Sequence, residues 1–147
     1  MRCSQVFFIL CLTAALVAAE AASAALMISI SGNPSTLTIN SATAGSQPNN
    51  ATNSSTTYSI TTVASGTTIT GKLNANMPAG LTLKVQLQAP TGATSVGAVA
   101  MTTTAANLIT GIGIIALQTG LTITYTLSAT VAAAPVASSS VVLTLTI

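Results

Sequence analysis

The sequence predicts an all-β fold, an antiparallel β-sandwich of about seven to nine short strands. Three observations lead there. Apolar and polar residues alternate in most segments, as in "LTLKVQLQ" and "VVLTLTI", and a period of two is the signature of a strand with one buried face. Gly and Pro punctuate the chain at short intervals, as turns between strands require. Thr is abundant throughout, and its branched Cβ suits strands over helices. No stretch carries helical periodicity.

The chain has 147 residues, of which 50% are hydrophobic, 3% aromatic and 3% charged. That length is one domain's worth. The apolar content argues against disorder. The first residues read as a targeting segment: Arg2, an apolar run from Val6 to Ala19, then small residues. Ala22-Ser23-Ala24 and Ala19-Glu20-Ala21 both match the A-x-A cleavage pattern. Cleavage after Ala24 places Glu20 in the polar stretch before the cut, so residues 1–24 are expected to be a signal peptide. Residues 25–147 then form a single β-sandwich domain; cleavage after Ala21 would start it at Ala22. The apolar run is short of the roughly 20 residues a spanning helix needs, so no membrane span is expected in the mature chain. The lipoprotein reading through Cys11 fails at Leu10, where a small residue is needed.

Removal of the leader would take both cysteines, Cys3 and Cys11, the only acidic residue, Glu20, and Arg2. The mature chain would keep Lys72 and Lys84 as its charged side chains, with no His anywhere. General acid–base catalysis draws on His, Asp or Glu. Glycoside hydrolysis uses paired carboxyl groups. Zinc and calcium sites need Cys, His or carboxylate ligands. A Ser-His-Asp triad cannot be assembled. A Ser-Lys or tyrosine mechanism through Lys72, Lys84, Tyr58 or Tyr125 remains formally open. Two lysines cannot supply the phosphate contacts of nucleic-acid binding. A Lys–Asn cross-link assisted by an acid is also excluded. The sequence therefore predicts no enzyme, no catalytic or metal-binding residue, no cofactor and no nucleic-acid partner.

The segments follow in order. "LMISIS" puts Leu26, Ile28 and Ile30 on one face and is broken by Gly32-Asn33-Pro34. "STLTINS" reads as a strand with Leu37 and Ile39 inward. Residues 42 to 57 read as a long polar loop, in which Asn50 and Asn53 open N-x-[ST] sequons. "TTYSITTV" and "TTITGKLN" follow, with a turn at Ser65-Gly66. "ANMPAG" turns into "LTLKVQLQ", where Leu81, Leu83, Val85 and Leu87 oppose Thr82, Lys84, Gln86 and Gln88. After "APTGA", the segments "TSVGAVAM" and "NLITGIGIIAL" read as strands with bulges at Gly97, Gly111 and Gly113. "LTITYTLSA" alternates, "TVAAAPVASSS" makes a loop and "VVLTLTI" is the last strand. Tyr58 and Tyr125 fall in register with aliphatic neighbours, which makes them core residues ahead of a sugar-stacking platform. Two tyrosines cannot build the aromatic girdles of a membrane barrel. A repeat is visible: Ile69-Thr70-Gly71 precedes Gly80-Leu81-Thr82 as Ile109-Thr110-Gly111 precedes Gly120-Leu121-Thr122. It suggests two similar hairpins in related places.

A leader, a short apolar first strand, an all-β body and the closing "VVLTLTI" together resemble the secreted immunoglobulin-like subunits of bacterial fimbriae and related surface filaments. The chain departs from the common chaperone–usher pattern in lacking a cysteine pair and in its long loop at 42 to 57. The resemblance implies an immunoglobulin-like sandwich, and a structural subunit joined to its neighbours by a donated strand. On the residues, that strand is "LMISIS", with Leu26, Ile28 and Ile30 as the side chains inserted; its alternative place is as the first strand of its own sandwich. The expected role is a secreted, non-enzymatic component of a cell-surface filament, pilus or matrix. It would be extracellular or periplasmic, with itself or other surface proteins as partners. The alternative is a monomeric adhesin-like module that binds through its loops.

Overall fold

The computed structural model describes residues 26–43, 45–133 and 141–147. The expected leader, with Arg2, Cys3, Cys11, Glu20 and both cleavage patterns, lies outside the described residues, as does most of the loop before "VVLTLTI".

Nine strands and no helix make up the described chain. They are β1 (Leu26–Ile30), β2 (Ala51–Thr62), β3 (Thr67–Leu73), β4 (Leu81–Leu87), β5 (Thr94–Ser95), β6 (Val99–Ala100), β7 (Ala106–Ile112), β8 (Ile115–Ala129) and β9 (Leu143–Thr146). Two open antiparallel sheets result, one ordered β1-β2-β8-β4-β6 and the other β5-β7-β3-β9. No helix among the described residues is long and apolar enough to cross a membrane. The architecture is that of a β-sandwich.

The core sits between the sheets. Ile60 and Tyr58 of β2, Val85 and Leu87 of β4, and Ile123 of β8 face Ile69 of β3 and Ile109 and Ile112 of β7, all nearly fully buried. Each comes from the apolar phase of an alternating segment, so the period of two reports the inward face directly. Lys72 and Lys84 occupy the other phase and are exposed. Gly71 shows how tightly the centre is filled. A Cβ there would stand 2.8 Å from Leu108 Cδ1 and 3.1 Å from Met101 Cε.

The sheets are aligned by their short edges. β5 and β6 are joined through Val96–Ala98, and Ser95 Oγ donates to the Leu87 carbonyl at 2.7 Å. These two edges therefore lie on the same side, and β9 lies on the side of β1. The larger sheet has one strand more than the smaller, and Leu37, in the segment after β1, packs partly against the core.

Four expectations need correction. Residues 51 to 57 are strand, not loop: β2 starts at Ala51, with Ala51, Thr52 and Asn53 opposite Leu127, Thr126 and Tyr125. The ladder is made by backbone groups, which polar side chains do not disturb. "STLTINS" forms no strand. The backbone ladder stops after Ser31; beyond it Gly32 has a positive φ (+146°), and Pro34 has no N–H to give a ladder. Ser35 still stands opposite Asn53, where the β1–β2 register would extend, but the bond there joins side chains, Asn53 Nδ2 to Ser35 Oγ at 2.6 Å. "TSVGAVAM" is two strands in different sheets, and "NLITGIGIIAL" divides at Gly113-Ile114 between β7 and β8.

The repeat also takes a different form. Its copies are not hairpins. Each runs from the smaller sheet to the larger, β3 to β4 and β7 to β8. β3 and β7 are antiparallel neighbours, with Ile69 opposite Ile109, and β4 and β8 are antiparallel neighbours in the other sheet. The copies are thus related by an approximate two-fold axis. Gly80 and Gly120 share a left-handed backbone (φ +80° and +73°), whereas Gly111 (φ +69°) has no such counterpart in Gly71.

Candidate functional site

The residues singled out for strand donation form β1, an edge strand. Leu26, Ile28 and Ile30 stand opposite Thr62, Ile60 and Tyr58 of β2. Directly opposed residues share a face, so all three point to the core side. Their cover is incomplete. Leu26 is 39% and Ile30 41% exposed, and only Ile28 packs partly against the core. Met27, on the outer face, is also exposed.

The other edge of β1 pairs with no described strand. Edge strands are usually shortened, charged or interrupted by Pro. The edges β5 and β6 have two residues each. β1 has five, none charged and none Pro. Its attachment continues one residue further: Ser31 N donates to the Thr57 carbonyl at 2.9 Å, and Thr57 N to Ser31 Oγ at 3.0 Å. Gly32, with φ +146°, follows at once. β1 is therefore a short apolar strand held on one side. In the single chain it completes its own sheet.

The groups with any capacity for covalent chemistry are dispersed. Lys72 lies on the outer face of β3 beside Thr144, and Lys84 on the outer face of β4 between Thr126 and Ala100. They belong to opposite sheets. Replacing both with Gln is expected to change stability by no more than about 0.5 kcal/mol, the usual scale for exposed positions. Thermal unfolding followed by circular dichroism checks this.

The tyrosines are core residues. Tyr58 is buried and its hydroxyl donates to the Gln88 carbonyl at 2.6 Å. Burial pushes its pKa up to about 12. Burial also raises Tyr125, and the Thr56 hydroxyl beside it offsets part of the rise. Thr56 Oγ1 itself completes no hydrogen bond of regular geometry. Neither ring is a platform for a sugar. Of the two sequon residues, Asn50 is exposed, while Asn53 is held by Ser35 and accepts from Ser55 N and Oγ at 3.1 and 3.0 Å.

Sequence reasoning missed a further set of side chains. Val63, Ile114, Leu117, Val131 and Val142 are large, aliphatic and more than half exposed. Ile114 and Leu117 sit where β7 gives way to β8 and where β8 bulges against β2, so alternation does not assign them a face. Comparisons with protein-family models, curated proteins and solved structures match nothing to this chain.

Proposed function

We propose that this chain is a secreted, non-enzymatic structural subunit of a cell-surface filament, pilus or matrix, built on an immunoglobulin-like sandwich. The observation that carries the proposal is β1: a five-residue apolar edge without charge or Pro, incompletely covered. Such an edge is a template for another chain. The expected leader supports a place outside the cytoplasm, and the near absence of charge suits a protein that works packed against copies of itself.

In this reading β1 leaves its own β2 and pairs with the β2 of a neighbour. Leu26, Ile28 and Ile30 then meet Thr62, Ile60 and Tyr58 of the second copy. The pairing in the neighbour reproduces the pairing given up, so exchange costs little beyond strain at residues 31 to 34.

Deletion of residues 25 to 31 tests the proposal. Full burial of a large aliphatic side chain is worth about 1.5 to 3 kcal/mol. Because Leu26 and Ile30 stay partly exposed, the deletion is expected to cost about 5 kcal/mol or less. It should leave a folded monomer with an open β2 edge that does not assemble. A peptide of residues 25 to 31 should bind it and raise the melting temperature. A wild-type protein that stays monomeric, together with a deletion that unfolds the chain outright, would make β1 an ordinary core strand and end the proposal.

A further inference from the structure

β1 covers only part of the β2 edge. The β1–β2 ladder spans Tyr58 to Thr62, and Ser31 extends it to Thr57. The rest of β2, from Ala51 to Thr56, borders β8 on one side, and no described strand lies against the other. This stretch has neither charge nor Pro. By composition it is as open to strand addition as β1 itself.

Side chains close it instead. Thr57 N donates to Ser31 Oγ at 3.0 Å. Ser55 N donates to Asn53 Oδ1 at 3.1 Å, and Ser55 Oγ donates to the same oxygen at 3.0 Å. The Asn53 amide is anchored in turn, with Nδ2 donating to Ser35 Oγ at 2.6 Å. Between Asn53 and Thr56 the β2–β8 register shifts, and such a bulge also interrupts regular pairing. At the start of β2, Asn49 N donates to the Ser41 carbonyl at 2.9 Å, and Ala42 bridges Pro48. Ser31 and Ser35 keep the β1–β2 register, whereas Ser41 stands two residues out of it. The segment after β1 therefore passes along this edge without forming a ladder.

We infer that Asn53 is a specificity residue of this edge. Its carboxamide, anchored by Ser35, takes the bond that an added strand would make with Ser55, and so confines strand addition to the part of β2 that β1 covers. A backbone N–H already held by a side chain is not offered to an incoming strand. The consequence for assembly rests on the reading of β1 given above; the closure of the edge does not. A slip of one residue would turn Leu26, Ile28 and Ile30 away from the core, and burial alone forbids it. A slip of two keeps the face, and burial does not forbid that. Slipping towards Ala51 would set Ile30 opposite Thr56, beside the closed Ser55. Asn53 thus holds a donated strand to one register, with Leu26, Ile28 and Ile30 against Thr62, Ile60 and Tyr58.

The test compares Asn53→Ala with the wild-type chain, both purified with the expected leader removed. Circular dichroism should match; if it does not, Ser35→Ala, which removes only the anchor, takes its place. Hydrogen exchange of the dilute variant should be about tenfold faster at Ser55, the scale of one lost hydrogen bond. The variant should bind thioflavin T and sediment as larger species at a concentration about tenfold below that of the wild type, the scale of one added backbone bond. In those species, exchange at residues 51 to 56 should slow again. Asn53→Asp, which keeps the acceptor for Ser55, should behave as the wild type. The inference is overturned by an unchanged Ser55 amide, by association equal to the wild type, or by associated species left unprotected at 51 to 56. Association of Asn53→Asp like that of Asn53→Ala also overturns it. Each of these leaves β1 exchange standing. A wild type that stays monomeric while Asn53→Ala associates through 51 to 56 upholds the closed edge and contradicts the reading of β1.

Discussion

Ile109→Ala should lower stability by about 2 to 5 kcal/mol, the range for removing a buried aliphatic side chain when the cavity cannot collapse. Ile109 is fully buried, and its cross-strand partner Ile69 is fully buried as well. The pair stands where the repeat's approximate two-fold axis passes through the smaller sheet. A domain of this size has about 5 to 15 kcal/mol in total, so one substitution removes a large share. Urea denaturation measures it as a lower midpoint with unchanged slope. Ile109→Val, which deletes one methyl, should cost about 0.5 to 1.5 kcal/mol. The double variant Ile69→Ala, Ile109→Ala should fall short of the sum, since the two side chains touch the same space. Additive costs would mean that the strands do not pair at these residues.

The second large effect is a loss of stability in alkali. The described residues contain no Asp, Glu or His, so the usual source of acid denaturation is missing. Stability should be level from about pH 4 to about pH 9. Tyr58 changes this above its ordinary pKa. Its folded value is about 12 against 10.0 for the free group. Between these values the unfolded chain gives up the phenolic proton and the folded one keeps it. Stability therefore falls as pH rises through this window, by about 3 kcal/mol at its upper end. Tyr125, raised by burial, acts in the same direction. Thermal unfolding from about pH 7 to about pH 12 should show a plateau and then a steep decline. Tyr58→Phe should remove much of that decline, at a cost of about 1 kcal/mol near neutrality for the bond to Gln88. An unchanged alkaline decline in Tyr58→Phe would place the titrating group elsewhere.

The fold was legible wherever one face of a strand is buried against the other sheet. "LTLKVQLQ" and "LTITYTLSA" carry their inward residues in strict alternation, and β4 and the second half of β8 follow it. Where burial does not set the pattern, the reading failed in both directions. The polar start of β2 is a strand because β8 offers it a ladder, a fact of topology that no local pattern contains. Residues 35 to 41 alternate well and yet form no strand, because Gly32 and Pro34 detach them from β2. Gly97 and Gly113 looked like bulges in continuous strands, whereas the chain changes sheet there; Gly111 does lie at a register shift of β7 against β3. The repeat signalled a real relationship, but local sequence could not distinguish a hairpin from a crossing between sheets.

The candidate site was partly legible for the same reason. Leu26, Ile28 and Ile30 share a face as their spacing indicates, while their partial exposure is set by packing that no local pattern contains. Other exposed aliphatic side chains were hidden, since Val63, Ile114, Val131 and Val142 lie just outside strands, where alternation stops. Burial of apolar surface is what organises this chain. Few charges oppose association, and the exposed large aliphatic side chains lie along β1, at or just outside the ends of other strands and, with Val96, between β5 and β6.

The most direct test of self-assembly is sedimentation velocity of the purified protein, with the expected leader removed, over a wide concentration range, with negative-stain microscopy of the same samples. The proposal predicts species that grow with concentration into extended particles. A single monomeric species at every concentration, with no ordered particles in the images, would contradict it.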